Sequence, residues 1–492
     1  MSLAKEFKQL SKDTLIYGLS TGLGRMVTLF MAPILTRIFA PEDYGVIALI
    51  QVAIGFAVML AGMNIGSGVS YYYFHHEDEE DRRNTLTSGF SAIVFLSLLM
   101  AGALALFAPQ VAKLLQIRSE GPVVGHDMAL YLRIGALGLF FGLMKTGFQS
   151  LLRLLHRPKK YLVVEVAALV SNVIAALVLV VWLRLGVEGV FWAGVIGPCI
   201  GFLLGLFFVA DRFGRVFSWV LLIPVLAYAL PQLPGVVLNW FQSQLGRIFI
   251  NYYTSLSEQG LYSIAFALAS VLVMATTAFR LAYDPYALSI MKRPDAPKTY
   301  ARVYSLFGFV FGCLLGLVVA FAKPVLQVLT PAEYHDAHLM VFWLAAAGFY
   351  MGANNIVATG IWLSRRTIFT SYAQGISFLI LVPANFLLVP AFGAFGAAAA
   401  FFIGAFAQSI TYYVFTQRLH PIPFEYWRIH GLVFSLVLVG WVHSNLVLES
   451  GLIESLAISL PTAVSSILLA WFICFTKRQR KEAFDVLRKK MA

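Results

Sequence analysis

The chain is a succession of long apolar stretches separated by short polar segments, and this pattern constrains its fold more than any other feature. Hydrophobic residues make up 60% of the 492 residues, and charged residues only 12%. Soluble domains carry about 25% charged residues, and disordered chains combine low hydrophobicity with high charge. Both classes are therefore excluded, and the sequence predicts an all-α protein that crosses a membrane many times.

The lengths of the apolar stretches predict about 14 transmembrane helices. A helix needs about 20 apolar residues to cross the hydrocarbon core, and charges, prolines and glycines mark the ends of each stretch. The predicted spans, numbered one to fourteen in chain order, are 13–39, 42–73, 84–108, 127–150, 159–183, 188–210, 219–250, 257–289, 299–321, 334–362, 367–389, 394–416, 429–448 and 456–476.

The distribution of basic residues predicts the orientation. If the N-terminus is cytoplasmic, 25 of the 36 Lys and Arg residues fall in cytoplasmic segments, six at outer ends and five inside spans. Lys and Arg concentrate on the cytoplasmic side of membrane proteins. The net charge of +12 therefore indicates a multi-pass membrane protein with both termini cytoplasmic, and not a nucleic-acid-binding protein.

The sequence predicts no metal, no cofactor and no enzymatic activity. Its three cysteines, Cys199, Cys313 and Cys474, lie far apart in apolar stretches, which favours neither a disulfide framework nor a metal site. The sequence contains neither a phosphate-binding Walker motif nor an HExxH motif, so ATP is not the expected energy source.

Weak internal similarity predicts two six-helix lobes related by a parallel repeat. The matching segments are Arg37-Ile38-Phe39 with Arg247-Ile248-Phe249, Lys159-Lys160 with Arg365-Arg366, and Gly186–Gly189 with Gly393–Gly396. Transporters are commonly built from such repeats, with the substrate held between them. The predicted domains are residues 1–215, residues 216–420, and an added helix pair with a basic tail over residues 421–492.

Polar residues inside the spans predict a cavity. Thr21, Arg25 and Thr28 share one face of span one at helical spacing. A charge within the hydrocarbon usually faces a cavity or a partner, so Arg25 either attracts an anionic substrate or pairs with a buried acid. Further candidates are the cations Arg37, Arg133, Lys145, Arg247 and Arg280, and the polar residues Asn64, Asn239, Gln242, Asn354 and Asn355.

The two carboxylates predicted inside spans are Glu165 and Asp284. Either one is a candidate for coupling to an ion gradient, because a carboxylate within a membrane can exchange a proton or bind a cation. Asp284 lies four residues after Arg280, so a plain ion pair is the alternative. Snorkelling to the interface is the alternative for Arg133 and Lys145.

Span seven is predicted to be bent. Pro224, Pro231 and Pro234 interrupt it, and each proline removes a backbone donor that a helix needs. Asn239 and Gln242 follow on this helix, so the bend suits either a gate or a packing irregularity.

Three motifs stand out along the chain: Leu35–Gly45 (LTRIFAPEDYG), Arg157–Tyr161 (RPKKY), and Asn385–Gly393 (NFLLVPAFG) followed by Gly396-Ala397-Ala398. They resemble motifs of the polysaccharide flippase branch of the multidrug/oligosaccharidyl-lipid/polysaccharide exporter superfamily. One position departs from the pattern: relatives often carry an Asp before the arginine equivalent to Arg247, whereas Gly246 stands there.

The resemblance implies a flippase of the bacterial cytoplasmic (inner) membrane for an undecaprenyl-diphosphate-linked oligosaccharide. It implies that the protein works by alternating access, in O-antigen or exopolysaccharide assembly. The implied partners are the anionic lipid-linked oligosaccharide, membrane lipids, and a glycan polymerase with chain-length proteins. An ion-coupled drug exporter of the same superfamily is one alternative, although a cationic interior disfavours a cationic substrate. A membrane-embedded polysaccharide polymerase is another, but its expected large outer loop is absent from the sequence.

Overall fold

A computed structural model describes residues 31–115, 126–155, 157–214, 216–364, 366 and 368–475. Within these residues the regular structure is entirely helical. Among the described residues, twelve helical stretches, some of which join consecutive helices, are long and apolar enough to cross a membrane. The predicted all-α membrane fold is therefore confirmed, while span one lies mostly outside the described residues and the number fourteen stays a prediction.

The described residues form two compact units, which divide between Gly260 and Leu261. The helices of the first unit are α1 (Pro41–Gly62), α2 (Ile65–His75), α3 (Glu79–Leu106), α4 (Ala108–Leu115), α5 (Met128–Leu154), α6 (Pro158–Ala176), α7 (Val187–Val209), α8 (Trp219–Ala229) and α9 (Leu233–Tyr253). The next helix, α10 (Leu256–Ser289), begins in the first unit and continues into the second. The predicted lobe boundary after residue 215, which follows the sequence repeat, stays a prediction.

The helices of the second unit after α10 are α11 (Ala296–Ala320), α12 (Ala322–Leu329), α13 (His338–Val357), α14 (Thr359–Leu363), α15 (Ile368–Leu419), α16 (Tyr426–Leu446) and α17 (Leu452–Cys474). Helix α15 comprises two helices that meet at Gly393, where the backbone is not helical. Spans eleven and twelve are therefore joined without a loop.

In the first unit, α7 packs against both α5 and α6, and α3 packs against α5. Small residues allow these close approaches: a Cβ on Gly197 would lie 2.6 Å from the carbonyl oxygen of Ala168. Helices α8 and α9 pack against α2 and α1 respectively. Span seven therefore lies along the whole length of span two within the first unit.

In the second unit, the added pair α16 and α17 packs against α11. Lys323 on the short helix α12 binds the C-terminal end of α16. Its Nζ donates to the carbonyl oxygens of Val447 and Leu448. These carbonyls end a helix and have no partner within it, so a basic side chain satisfies them and complements the helix dipole.

The same glycine turn joins the last two helices of each predicted repeat. Gly186 precedes α7 with φ 60° and ψ −139°, and Gly393 has φ 56° and ψ −137°. These are the described glycines with positive φ, and the sequence comparison had paired them. An L side chain rarely adopts this conformation, so glycine is needed at both turns.

We expect Gly393→Ala to lower the free energy of unfolding by about 1–3 kcal/mol, because alanine is strained at positive φ. Gly375 on the same helix is the matched control, since a Cβ there would meet nothing within 4 Å. Gly375→Ala should instead raise stability slightly, as Ala favours helices. Thermal unfolding in detergent measures both, and equal effects of the two substitutions would contradict the assignment.

Candidate functional site

Span two is broken near its middle. Helix α1 ends at Gly62 and α2 begins at Ile65, and the intervening Met63 and Asn64 have φ values of 40° and 54°. Non-glycine residues rarely adopt this left-handed conformation, and Asn tolerates it best. Irregular backbone at membrane depth persists only where protein or a water-filled cavity covers it. The break therefore marks a candidate functional position.

Span seven is interrupted by a 3-10 turn whose backbone stays in the helical region, as its prolines predict. Helix α8 ends at Ala229, residues Leu230–Gln232 form a 3-10 turn, and α9 begins at Leu233. Pro231 lies in the 3-10 turn and Pro234 in the first turn of α9, where the missing backbone donor costs least. The predicted interruption of this helix is confirmed.

The two breaks face each other. The Nδ2 of Asn64 donates a hydrogen bond to Oε1 of Gln232 at 3.2 Å. On one side of this bond the helices approach closely, since a Cβ on Gly68 would lie 2.4 Å from the carbonyl oxygen of Val225. On the other side the rings of Phe56 and Trp240 lie 5.1 Å apart.

A cavity of about 140 Å³ adjoins the break in span two. Gly62 and Gly66, which flank the break, line it together with Thr146 and Ser150 of α5. Its walls are mostly apolar and include a few hydroxyl groups. Its volume exceeds the ~30 Å³ of one water molecule, so the irregular backbone borders open space within the first unit.

Next to these α5 residues lies a partly buried ion pair. Lys145 Nζ on α5 donates to Oε2 of Glu165 on α6 at 2.9 Å, and both side chains are less than 20% exposed. Gln149 Nε2 donates to the same carboxylate oxygen at 2.5 Å. One predicted substrate-binding cation and one predicted coupling carboxylate thus neutralise each other.

The other predicted cations of the first unit lie apart. Arg37 lies at the outer end of predicted span one and is exposed, as is Arg133 near the start of α5. Arg247 on α9 is partly buried, and its Nη1 donates to Oε1 of Gln244 at 3.2 Å. On the same helix Asn239 is exposed and Gln242 partly buried.

In the second unit, Arg280 and Asp284 form the predicted ion pair one turn apart, with Nε and Oδ2 separated by 3.2 Å. About half of the Arg280 side chain is exposed, which fits a plain surface pair. Asn354 on α13 is buried, and neither atom of its amide has a hydrogen-bond partner among the described residues. Asn355 bonds to backbone carbonyls of its own helix.

The predicted residues Thr21, Arg25 and Thr28 lie outside the described residues, so their role as a cavity face stays a prediction. Two functional side chains were missed. Gln149 follows Lys145 by four residues, and this spacing places both on one face of α5. Gln232 lies between Pro231 and Pro234, so the proline cluster itself was the signal that pointed to it.

Comparison with known proteins identifies a matching family and a related transport protein. Residues 34–339 match the profile of the family described as "Polysaccharide biosynthesis protein". Over 245 residues the chain is 27% identical to the succinoglycan biosynthesis transport protein ExoT of Rhizobium meliloti (strain 1021). That match covers 49% of this chain and 45% of ExoT, so the chain spans less than half the length of this relative.

Solved structures share the fold. A lipid II flippase MurJ in an inward closed conformation superposes with a TM-score of 0.71 and 13% identity, over 92% of this chain and 97% of MurJ. An inward-facing multidrug resistance MATE family transporter of the MOP superfamily gives 0.58 and 13%, over 84% and 99% of the two chains. At this identity the likeness concerns the fold alone.

Proposed function

The chain belongs to the polysaccharide biosynthesis protein family, and we propose that it is a flippase for a lipid-linked oligosaccharide. The carrier is an undecaprenyl diphosphate in the cytoplasmic membrane, and translocation proceeds by alternating access during O-antigen or exopolysaccharide assembly. ExoT is named a succinoglycan biosynthesis transport protein and MurJ a lipid II flippase, which supports this substrate class. Both are named for transport, in keeping with a protein that is not an enzyme.

The observation that carries the proposal is the pair of facing helix breaks. Discontinuous helices form the substrate and ion sites of many transporters that work by alternating access. Spans two and seven are both interrupted where Asn64 and Gln232 meet. The paired interruptions therefore support a transport role for this region.

The anionic diphosphate of the carrier requires basic residues along its route. Arg25, Arg37, Arg133, Lys145, Arg247 and Arg280 are proposed for this role, with Thr21, Thr28, Asn64, Asn239, Gln242, Asn354 and Asn355 as polar lining. Glu165 and Asp284 are proposed as coupling residues, and each carries a basic partner. Protonation of either carboxylate would release its partner to bind an anion.

The test is a cell in which the gene is deleted and then restored on a plasmid. The deletion should abolish surface glycan while lipid-linked oligosaccharide accumulates on the inner leaflet, where an impermeant lectin added to spheroplasts does not reach it. Normal glycan together with increased drug sensitivity would favour the drug exporter instead. Exported units that remain unpolymerised would favour the polymerase.

The amide bridge between the two breaks should influence the rate of glycan export. We expect Gln232→Leu to change the rate about threefold, because an interhelical hydrogen bond in a membrane contributes ~0.6 kcal/mol on average. Asn64→Gly removes the same bond but retains the left-handed backbone, so it should have a similar effect. Pulse-labelling of surface glycan measures the rate.

The double substitution of Asn64 and Gln232 provides the internal control. If the two side chains act through one hydrogen bond, the double variant should match either single variant instead of showing the product of both effects. Additive effects at unchanged membrane abundance would show that the bridge plays no part in export.

A further inference from the structure

The cavity beside the break in span two is a slot that runs along the helices of the first unit. Leu143 and Leu154 of α5 both line it, and at ~1.5 Å of rise per residue these two positions lie roughly 16 Å apart. Its volume is only about 140 Å³. A space of this length and small volume is narrow, so its shape suits one segment of a hydrocarbon chain better than a compact solute.

The hydroxyl groups that line the slot are already engaged in hydrogen bonds. The hydroxyl of Ser70 donates to the carbonyl oxygen of Gly66 at 2.8 Å, and the hydroxyl of Thr146 donates to its own helix at 2.8 Å. Ser150 Oγ accepts from Nη2 of Arg153 at 3.0 Å. A buried water needs about two to four polar partners, and apolar cavities stay dry and take up apolar ligands. The slot therefore favours a hydrocarbon ligand over water.

One side of the slot is closed and another is open. Among the residues that line it, Val69, Leu86 and Phe90 are buried, whereas Thr146 is exposed and Gly66 is partly exposed. A lipid chain can therefore enter from the side, and the packing of the buried residues does not have to open for it.

Gly66 provides a niche in the wall of the slot. A Cβ on Gly66 would meet no atom within 4 Å in the part of the chain that the structure describes, whereas a Cβ on Gly147 would lie 2.8 Å from Cζ of Phe90. The space beside Gly66 thus accepts one additional methyl group. A linear chain leaves this niche empty, and an empty niche loses the dispersion contacts of the atoms around it. A methyl-branched chain can fill it.

The predicted cytoplasmic end of the slot lies next to a basic side chain. Arg153 is exposed near the end of α5 and bonds to Ser150, which lines the slot. Arginine binds phosphate groups through its planar fork of donors. A lipid of the inner leaflet whose phosphate lies at this level would direct its chain along α5 into the slot.

We propose that the slot binds the isoprenoid chain of a lipid phosphate, with one methyl branch of the chain in the niche at Gly66. The identity of the lipid rests on the proposed function, because the carrier proposed there has a methyl-branched isoprenoid chain. The acyl chains of ordinary phospholipids are linear, so they gain nothing from the niche. The niche therefore distinguishes the carrier from the surrounding bilayer.

Native mass spectrometry of the full chain, released from phosphatidylcholine nanodiscs, tests the proposal. The nanodiscs contain phytanyl phosphate and hexadecyl phosphate at equal mole fractions. These probes share the headgroup and the main chain, and only the phytanyl chain carries methyl branches. We expect bound phytanyl phosphate to exceed bound hexadecyl phosphate about fourfold, the preference that burial of one methyl-sized group gives. Equal amounts of the two bound lipids would overturn the proposal.

Gly66→Ala is the decisive variant, because its side chain supplies the methyl group that the branch would otherwise supply. The variant should bind the two lipids in about equal amounts, while its thermal midpoint stays level or rises, since Ala favours helices. Gly102→Ala is the matched control. Gly102 does not line the slot, and a Cβ there also meets no described atom within 4 Å, so the fourfold ratio should persist. An unchanged ratio in Gly66→Ala would overturn the proposal, as would an equal loss in Gly102→Ala.

These measurements involve no transport. Loss of the preference for the branched chain would refute the slot as an isoprenoid site and leave the proposed flippase function standing. Normal surface glycan in the deletion strain would refute the flippase function without changing the ratio of bound lipids.

Discussion

Replacement of Glu165 by alanine should destabilise the protein by about 1–3 kcal/mol, less than the ~3–5 kcal/mol expected for a fully buried ion pair, because this pair is only partly buried. The substitution leaves the Lys145 ammonium in a site where its side chain is 19% exposed. The stem of Lys145 has little freedom to withdraw, since a Cβ on Gly201 would lie 2.7 Å from its Cδ. Gln149 would lose its acceptor as well. Thermal unfolding in detergent and abundance in the membrane measure the loss.

Two control variants separate the effect of the charges on stability from the effect of side-chain packing. The double variant Lys145→Met with Glu165→Leu removes both charges and should recover most of the stability, as replacement of buried ion pairs by apolar side chains commonly does. Glu79→Ala breaks an exposed pair with Arg83 and should change stability by less than about 1 kcal/mol. A Glu165→Ala protein as stable as the double variant would show that the pair is solvated.

The double variant also tests the proposed coupling role of Glu165. A stable double variant that exports glycan normally would reduce the pair to a structural element of α5 and α6. Loss of export at normal membrane abundance would place the pair in the transport cycle. Stability and export therefore answer different questions about the same two residues.

The sequence was sufficient to predict the helical spans and the break in span seven, because apolar length and proline act locally. It also paired Gly186 with Gly393, whose backbone conformations agree within a few degrees. The contact between Lys145 and Glu165 was not predictable, since the residues lie 20 positions apart on different helices. Such a pair depends on how α5 packs against α6, and single-helix periodicity carries no information about that.

The break in span two had a weaker signal. No proline lies close to this break, and the sequence identifies Asn64 only as a polar residue within a span. Its left-handed conformation follows from its place between two helix segments, and asparagine tolerates that conformation without requiring it. Arg184, just before the turn at Gly186, has a φ of 54°. Nothing in the sequence indicates this, because arginine has no preference for positive φ.

Two glycines, each packed against a backbone carbonyl of the other's helix, give the second large prediction. A Cβ on Gly45 of α1 would lie 2.0 Å from the carbonyl oxygen of Leu256, and a Cβ on Gly260 would lie 2.0 Å from that of Pro41. Both pairs are related by 215 positions, so each helix presents the same motif to the other. Small residues let helix backbones approach closely in membranes, and here the neighbouring atoms belong to the backbone and cannot rotate away.

We expect Gly45→Val and Gly260→Val each to destabilise the described conformation by more than about 3 kcal/mol, the upper end of the usual overpacking cost. Each should reduce surface glycan severely, and Gly102→Val should not, since a Cβ at Gly102 meets nothing within 4 Å.

Because either substitution alone separates the two helices, the double variant should lose less stability than the sum of the losses in the single variants. Full additivity would show that the two glycines act at independent contacts, and normal export by Gly45→Val would show that the close approach is dispensable. The reciprocal geometry therefore predicts a non-additive loss of stability in the double variant, which a single crowded glycine would not predict.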